Sequence, residues 1–147
     1  MMEIHVHNRQ RAVKVPTRWL QKFAEVALPE CLPFSADGRF ALKQLEEVEV
    51  AIVSDRVIAR VHEEFMNIPG PTDVITFEHG EIVMSAETAQ LYAAQYGQSV
   101  EVELALYTVH GLLHLNGYED ASAKEAKQMQ KMQERIMKAC FKRISLH

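Results

Sequence analysis

The chain predicts an α+β fold, with helices packed on a small mixed β-sheet and a candidate metal site on one helix and the turn after it. Short β-branched runs alternate with stretches of helical periodicity in the order β-α-β-α-β-β-α-α-α. Two of the strands are joined by a tight Glu78-His79-Gly80 turn and form a hairpin, so the sheet is not wholly parallel. At 147 residues, 48% hydrophobic and 24% charged, the sequence holds enough apolar content for one core and reads as a single domain over 1–147.

Taken in order, Ile4-His5-Val6 alternates as a short strand, and Pro16-Thr17 opens a helix whose Trp19, Leu20, Phe23, Ala24 and Ala27 share the core face. Pro29 to Gly38 reads as a loop. Val48 to Val53 is a β-branched strand, after which Ser54-Asp55 caps a helix reaching about Met66, where Pro69-Gly70-Pro71 forbids continuation. Thr72–Phe77 and Glu81–Met84 are the hairpin strands, expected at the sheet centre. Asp73, at the start of the first, is expected to make a turn hydrogen bond rather than to carry chemistry. A helix from Ser85 to about Tyr96 ends at Gly97, and Ser99 with Glu101 and Glu103 begins the next, where acidic residues favour the positive helix end. Ser122-Ala-Lys-Glu125 is a capping box for the last helix.

His110-Gly-Leu-Leu-His114-Leu-Asn-Gly117-Tyr-Glu-Asp120 carries the chemistry. Residues four apart lie one above the other on a helix, so both imidazoles can reach one ion. Gly117 permits a left-handed helix stop, and the reversed chain brings Asp120 back toward the rings. Two imidazoles and a carboxylate are an accepted zinc set and also suit iron or manganese, with a fourth position left open. His110, His114 and Asp120 are therefore the candidate ligands, with Glu119 an alternative that the six-residue interval disfavours. A peptidase of the His-Glu-x-x-His type has a Glu after its first histidine, whereas Gly111 stands here.

No run reaches the length of a membrane span, and Met-Met-Glu-Ile-His-Val-His lacks the pattern of a signal peptide, so the cytoplasm is the expected compartment. Cys31 and Cys140, with no paired spacing, are expected to be free buried thiols. Net charge is −4 but segregated: five basic residues against Glu3 give the first 22 residues +4, seven against two give the last helix +5, and the middle is left with −13. Basic ends suit phosphate contact as readily as they suit plain solubility, which makes Arg9, Arg11, Lys124 and Lys131 candidate phosphate-contacting residues.

Pro71-Thr-Asp-Val-Ile-Thr-Phe77, Gly80-Glu-Ile-Val-Met-Ser-Ala-Glu-Thr-Ala89 and the histidine segment together resemble the YbeY-type family of bacterial rRNA maturation endoribonucleases. That family's motif reads H-G-x-L-H-L-x-G-Y-D-H, and the chain keeps every fixed position but the last two. Glu125, Met129, Ile136 and Met137 extend the resemblance, which covers roughly residues 48 to 137. It implies a zincin-like α+β fold, one zinc ion on the three histidine positions, cleavage of single-stranded RNA, small-subunit rRNA 3′-end maturation and association with the ribosome.

Three departures fall at the site. Asp120 replaces the third His, Glu119 replaces the preceding Asp, and Met66 stands where the family has an Arg able to face a phosphodiester. His62, one turn before Met66 and aligned with a family Asn, faces the same side and is a further candidate RNA contact. The leading expectation is a metal-dependent endoribonuclease. A ribosome- or RNA-associated binding protein weakened by Met66 and Asp120 is the alternative, and a metallopeptidase is the third.

Overall fold

The structure is a computed structural model and describes residues 2–145. Strand β1 (Glu3–Asn8) leads to helix α1 (Thr17–Cys31), strand β2 (Glu47–Val53) and helix α2 (Asp55–Met66). The hairpin β3 (Val74–Phe77) and β4 (Glu81–Ser85) follows, then α3 (Ala86–Gln95), α4 (Val100–Leu115) and α5 (Ala123–Ser145).

The sheet order is β1-β2-β4-β3; β1 and β4 run parallel to β2, and β3 runs antiparallel to β4. The mixed sheet is as expected, but the hairpin is not wholly central: β4 is an inner strand and β3 an edge. The reason is in the side chains. Ile82, Val83 and Met84 are all buried, as an inner strand covered on both faces requires, whereas β3 buries only Ile75 among Val74–Phe77. One face of the sheet, with Val6, Val50, Ile52, Ile82 and Met84, meets the core formed with α1, α4 and α5, while α2 covers Ala51, Val53, Ile75 and Val83 on the other through Ile58.

Helix α1 runs through Pro29, so the expected loop starts later, after Cys31. Leu28 and Cys31 are buried and hold the last turn on the core, and that packing outweighs the hydrogen bond Pro29 cannot donate. The caps at Ser54, Ser85 and Ser99 each accept from the backbone N–H three residues on. Glu103, in the first turn of α4 as expected, is buried, and Gln98 Nε2 donates to its carboxylate.

Helix α4 positions the site. It is apolar around most of its circumference, as suits a helix enclosed by α1, α3 and α5 that lies on β3 and β4. Gly111 permits that approach, because a Cβ there would lie 2.7 Å from Cδ1 of the fully buried Ile82. The residue after the first histidine is therefore glycine for packing, and no side chain that could act as a base fits at 111.

Candidate metal centre

His110 and His114 lie one turn apart near the C-terminal end of α4, with ring centroids 4.6 Å apart and side chains about one-fifth exposed. Beyond Leu115 the helix closes as the Asn116-Gly117 pair predicts. Gly117 takes φ +97°, its N–H donates to His114 O at 3.0 Å, and the Tyr118 N–H donates to Leu113 O at 3.0 Å. Asn116 does more than cap. Fully buried, it accepts from the Leu42 N–H at 3.2 Å and donates to Cys31 O at 3.2 Å and Phe34 O at 2.7 Å, tying the turn to the segment after α1. The far side is held by the expected capping box: Glu125 N–H donates to Ser122 Oγ and Ser122 N–H to Glu125 Oε1, each at 3.1 Å.

Between these anchors Asp120 returns to the rings. Its Oδ2 lies 3.5 Å from His110 Nε2 and 3.8 Å from His114 Nε2. A direct N–H···O bond would be shorter, whereas ligands about 2.0–2.1 Å from a shared tetrahedral ion stand ~3.4 Å apart. One donor atom from each of the three lies within 4.8 Å of the other two, so the residues present fit a divalent ion. Glu119 comes within 3.7 Å of His114 Nδ1, whereas Asp120 comes near both rings.

Tautomers support the same geometry. His110 Nδ1 hydrogen-bonds to Gln133 Oε1 on α5; an amide oxygen only accepts, so Nδ1 is the donor and Nε2 is the nitrogen turned toward Asp120. Sequence reasoning missed Gln133, although it lies one helical turn from Met129 and four residues before Met137 on the inward side of α5. Burial, and then the neighbouring His110, hold the His114 imidazole below its ordinary value of 6.5 against the opposing pull of Asp120 and Glu119. A neutral ring is the ligating form.

The cluster opens on a cleft of about 520 Å³ walled by edge strand β3 and by His62 and Met66 of α2. Met66 is 50% exposed and brings no charge. Asp73 lines the cleft, and its Oδ1 accepts from the N–H of the next residue, Val74, at 2.7 Å. A smaller cavity of about 360 Å³, sharing Asp73, Val74, His110 and Asp120 with the cleft, is bounded by Glu103, Tyr107 and Gln133. Arg9 and Arg11 lie just beyond β1, on the edge opposite β3 and three strand spacings away, on the order of 14 Å, and do not line the cleft. Lys124 and Lys131 border a shallow surface depression on α5 that shares Gln130 with the smaller cavity. Among the described residues no helix is long and apolar enough to cross a membrane.

A family model described as Endoribonuclease YbeY matches residues 5–140, a wider span than the quoted motifs. Endoribonuclease YbeY of Nocardia farcinica is 33% identical over 126 residues, covering 73% of this chain and 68% of that protein. The protein of the same name from Saccharopolyspora erythraea is 31% identical over an alignment of 155 positions, covering 92% and 79%. The solution structure of TM1509 from Thermotoga maritima superposes with a TM-score of 0.61 at 24% identity, over 99% of this chain and 92% of that one, and shows the same fold. On the matched span, the two relatives and the shared fold, the chain belongs to the YbeY family.

Proposed function

We propose that the chain is a metal-dependent endoribonuclease that cuts single-stranded RNA in rRNA processing, including small-subunit 3′-end maturation and ribosome quality control, on or near the small ribosomal subunit in the cytoplasm. The observation that carries this reading is the convergence of His110, His114 and Asp120 beside an open cleft, in a family whose relatives are named endoribonucleases. These three side chains hold one zinc ion, with iron or manganese as other occupants of the same donor set. Bound there, the ion would supply Lewis-acid stabilisation of charge developing on a phosphoryl oxygen. Gln133 orients His110, Asn116 and the capping box fix Asp120, and α2 and β3 confine one strand of nucleic acid against the rings. The basic face of α5 at Lys124 and Lys131 extends the path for the backbone, as the charge segregation suggests.

A second reading, an RNA- or ribosome-binding protein with weakened catalysis, is favoured by one observation: neither Lys nor Arg lines the cleft among the described residues. Metal quantification and cleavage of an unstructured RNA, with His114→Ala and Asp120→Ala beside the native protein, decide between them. The endonuclease reading expects about one ion per chain and loss of both metal and cleavage in each variant, on the order of 10² or more in rate. RNA binding without cleavage would support the second reading, cleavage indifferent to both substitutions would assign the activity to a contaminant, and chelator-sensitive casein hydrolysis would support a peptidase.

A further inference from the structure

His62 sits on the wall of the cleft that faces the ligand cluster. Helix α2 ends at Asn67, whose left-handed conformation (φ +60°) lets its N–H donate to Glu63 O at 3.0 Å and turns the chain back along the helix. Pro69-Gly70-Pro71 then presents the Gly70 carbonyl to the imidazole, with His62 Nδ1 2.9 Å from the oxygen. A carbonyl only accepts, so Nδ1 carries a proton in either charge state of the ring, and Nε2 is the nitrogen left for a ligand.

The charges around it limit what that nitrogen can do. The cleft is lined by the carboxylates of Asp73, Glu78, Glu119 and Asp120 and by the two imidazoles of the metal cluster. On α2 itself the neighbours of His62 three and four positions away are Ile58, Ala59, Phe65 and Met66, all uncharged. Among the described residues lining the cleft, His62 is thus the side chain outside the ligand cluster that can become cationic. A phosphodiester entering this acidic groove needs such a partner beside the ion.

We propose that His62 is the phosphate-contacting residue of the cleft: Nδ1–H stays on the Gly70 carbonyl, and Nε2 takes up a proton on RNA binding and donates it in a hydrogen bond to a non-bridging phosphate oxygen. The proposal rests on the RNA reading above and adds to it a named contact and a direction with pH. Binding draws a proton to Nε2, so affinity rises as the solution is acidified.

The test is anisotropy of a fluorescent single-stranded 2′-O-methyl RNA, which binds without being cut, on metal-loaded protein at pH 6 and pH 8, with metal content measured on every sample. The native protein is expected to bind about tenfold more tightly at pH 6 than at pH 8, the scale of one charge-assisted hydrogen bond. His62→Gln should bind alike at both values and match the native protein only at pH 8. His62→Arg, which keeps a cation at either pH, should bind more tightly than His62→Gln throughout. If His62→Gln retains the acid-side gain, or His62→Arg binds no better than His62→Gln, the assignment is overturned. Native protein with no affinity for the oligonucleotide at either pH overturns the RNA reading itself, which separates the two failures.

Discussion

His110 offers Nε2 to the cluster because Gln133 occupies its Nδ1, and Gln133→Leu removes that acceptor without touching a ligand. Metal affinity should fall roughly 10–100-fold, measured by competition with a chromophoric chelator, while the melting temperature of the metal-free protein changes little. Gly111 makes a different demand. Alanine is the better helix former by about 1 kcal/mol, yet a Cβ 2.7 Å from Ile82 overpacks the interface between α4 and β4 at about 1–3 kcal/mol. Gly111→Ala should therefore be net destabilising by up to about 2 kcal/mol in urea unfolding, and a gain in stability would refute the packing account. The chemistry of these residues was visible in the sequence to unequal degrees. Spacing alone identified His110, His114 and Asp120 as able to converge, because helical periodicity and a glycine stop are local rules. Gln133 and Asn116 act across 23 and 74 or more residues, and no local pattern announces a hydrogen bond made on that scale.

At the level of elements, the turn between α4 and α5 delivers Asp120, and it is fastened at both ends. Asn116→Ala removes the acceptor of the Leu42 N–H and the donor to the Cys31, Leu32 and Phe34 carbonyls, of which Cys31 O keeps the Phe34 N–H, a loss of about 3 kcal/mol that a denaturant titration would register. Ser122→Ala removes one side of the capping box at the exposed end and should cost about 1 kcal/mol. Element types followed from periodicity and caps, and their order was recovered. The errors arose where tertiary packing overrode a local signal. Pro29 stays helical because Leu28 and Cys31 are pressed into the core. Strand β3 lies at the edge because the parallel pairing of β4 with β2 claims the inner place, and nothing in a strand's own residues states which neighbour it will take. The uninterrupted apolar run of β4 against the mixed composition of β3 was the available clue.

Across the whole molecule, the core keeps two thiols apart from the chemistry. Burial, with the Glu30 carboxylate next in effect, pushes Cys140 from its ordinary 9.0 up to about 12, and burial pushes Cys31 up as well. Both raised values favour the protonated folded state, so their contribution to stability is complete below pH 9.0 and is lost as the pH rises toward about 12. An aromatic disulfide reagent at pH 8 should leave both cysteines unmodified until denaturant is added, and rapid labelling of the native protein would contradict their burial.

The family, the fold and the cleft bear on function through one proposed arrangement, in which His110 Nε2, His114 Nε2 and an Asp120 oxygen would share one cation. Anomalous diffraction at the zinc edge from a crystal grown with zinc tests it most directly. The expected result is a single strong peak bonded to those three atoms at about 2.0–2.2 Å. A peak elsewhere, or Asp120 turned away with Glu119 in its place, would contradict it.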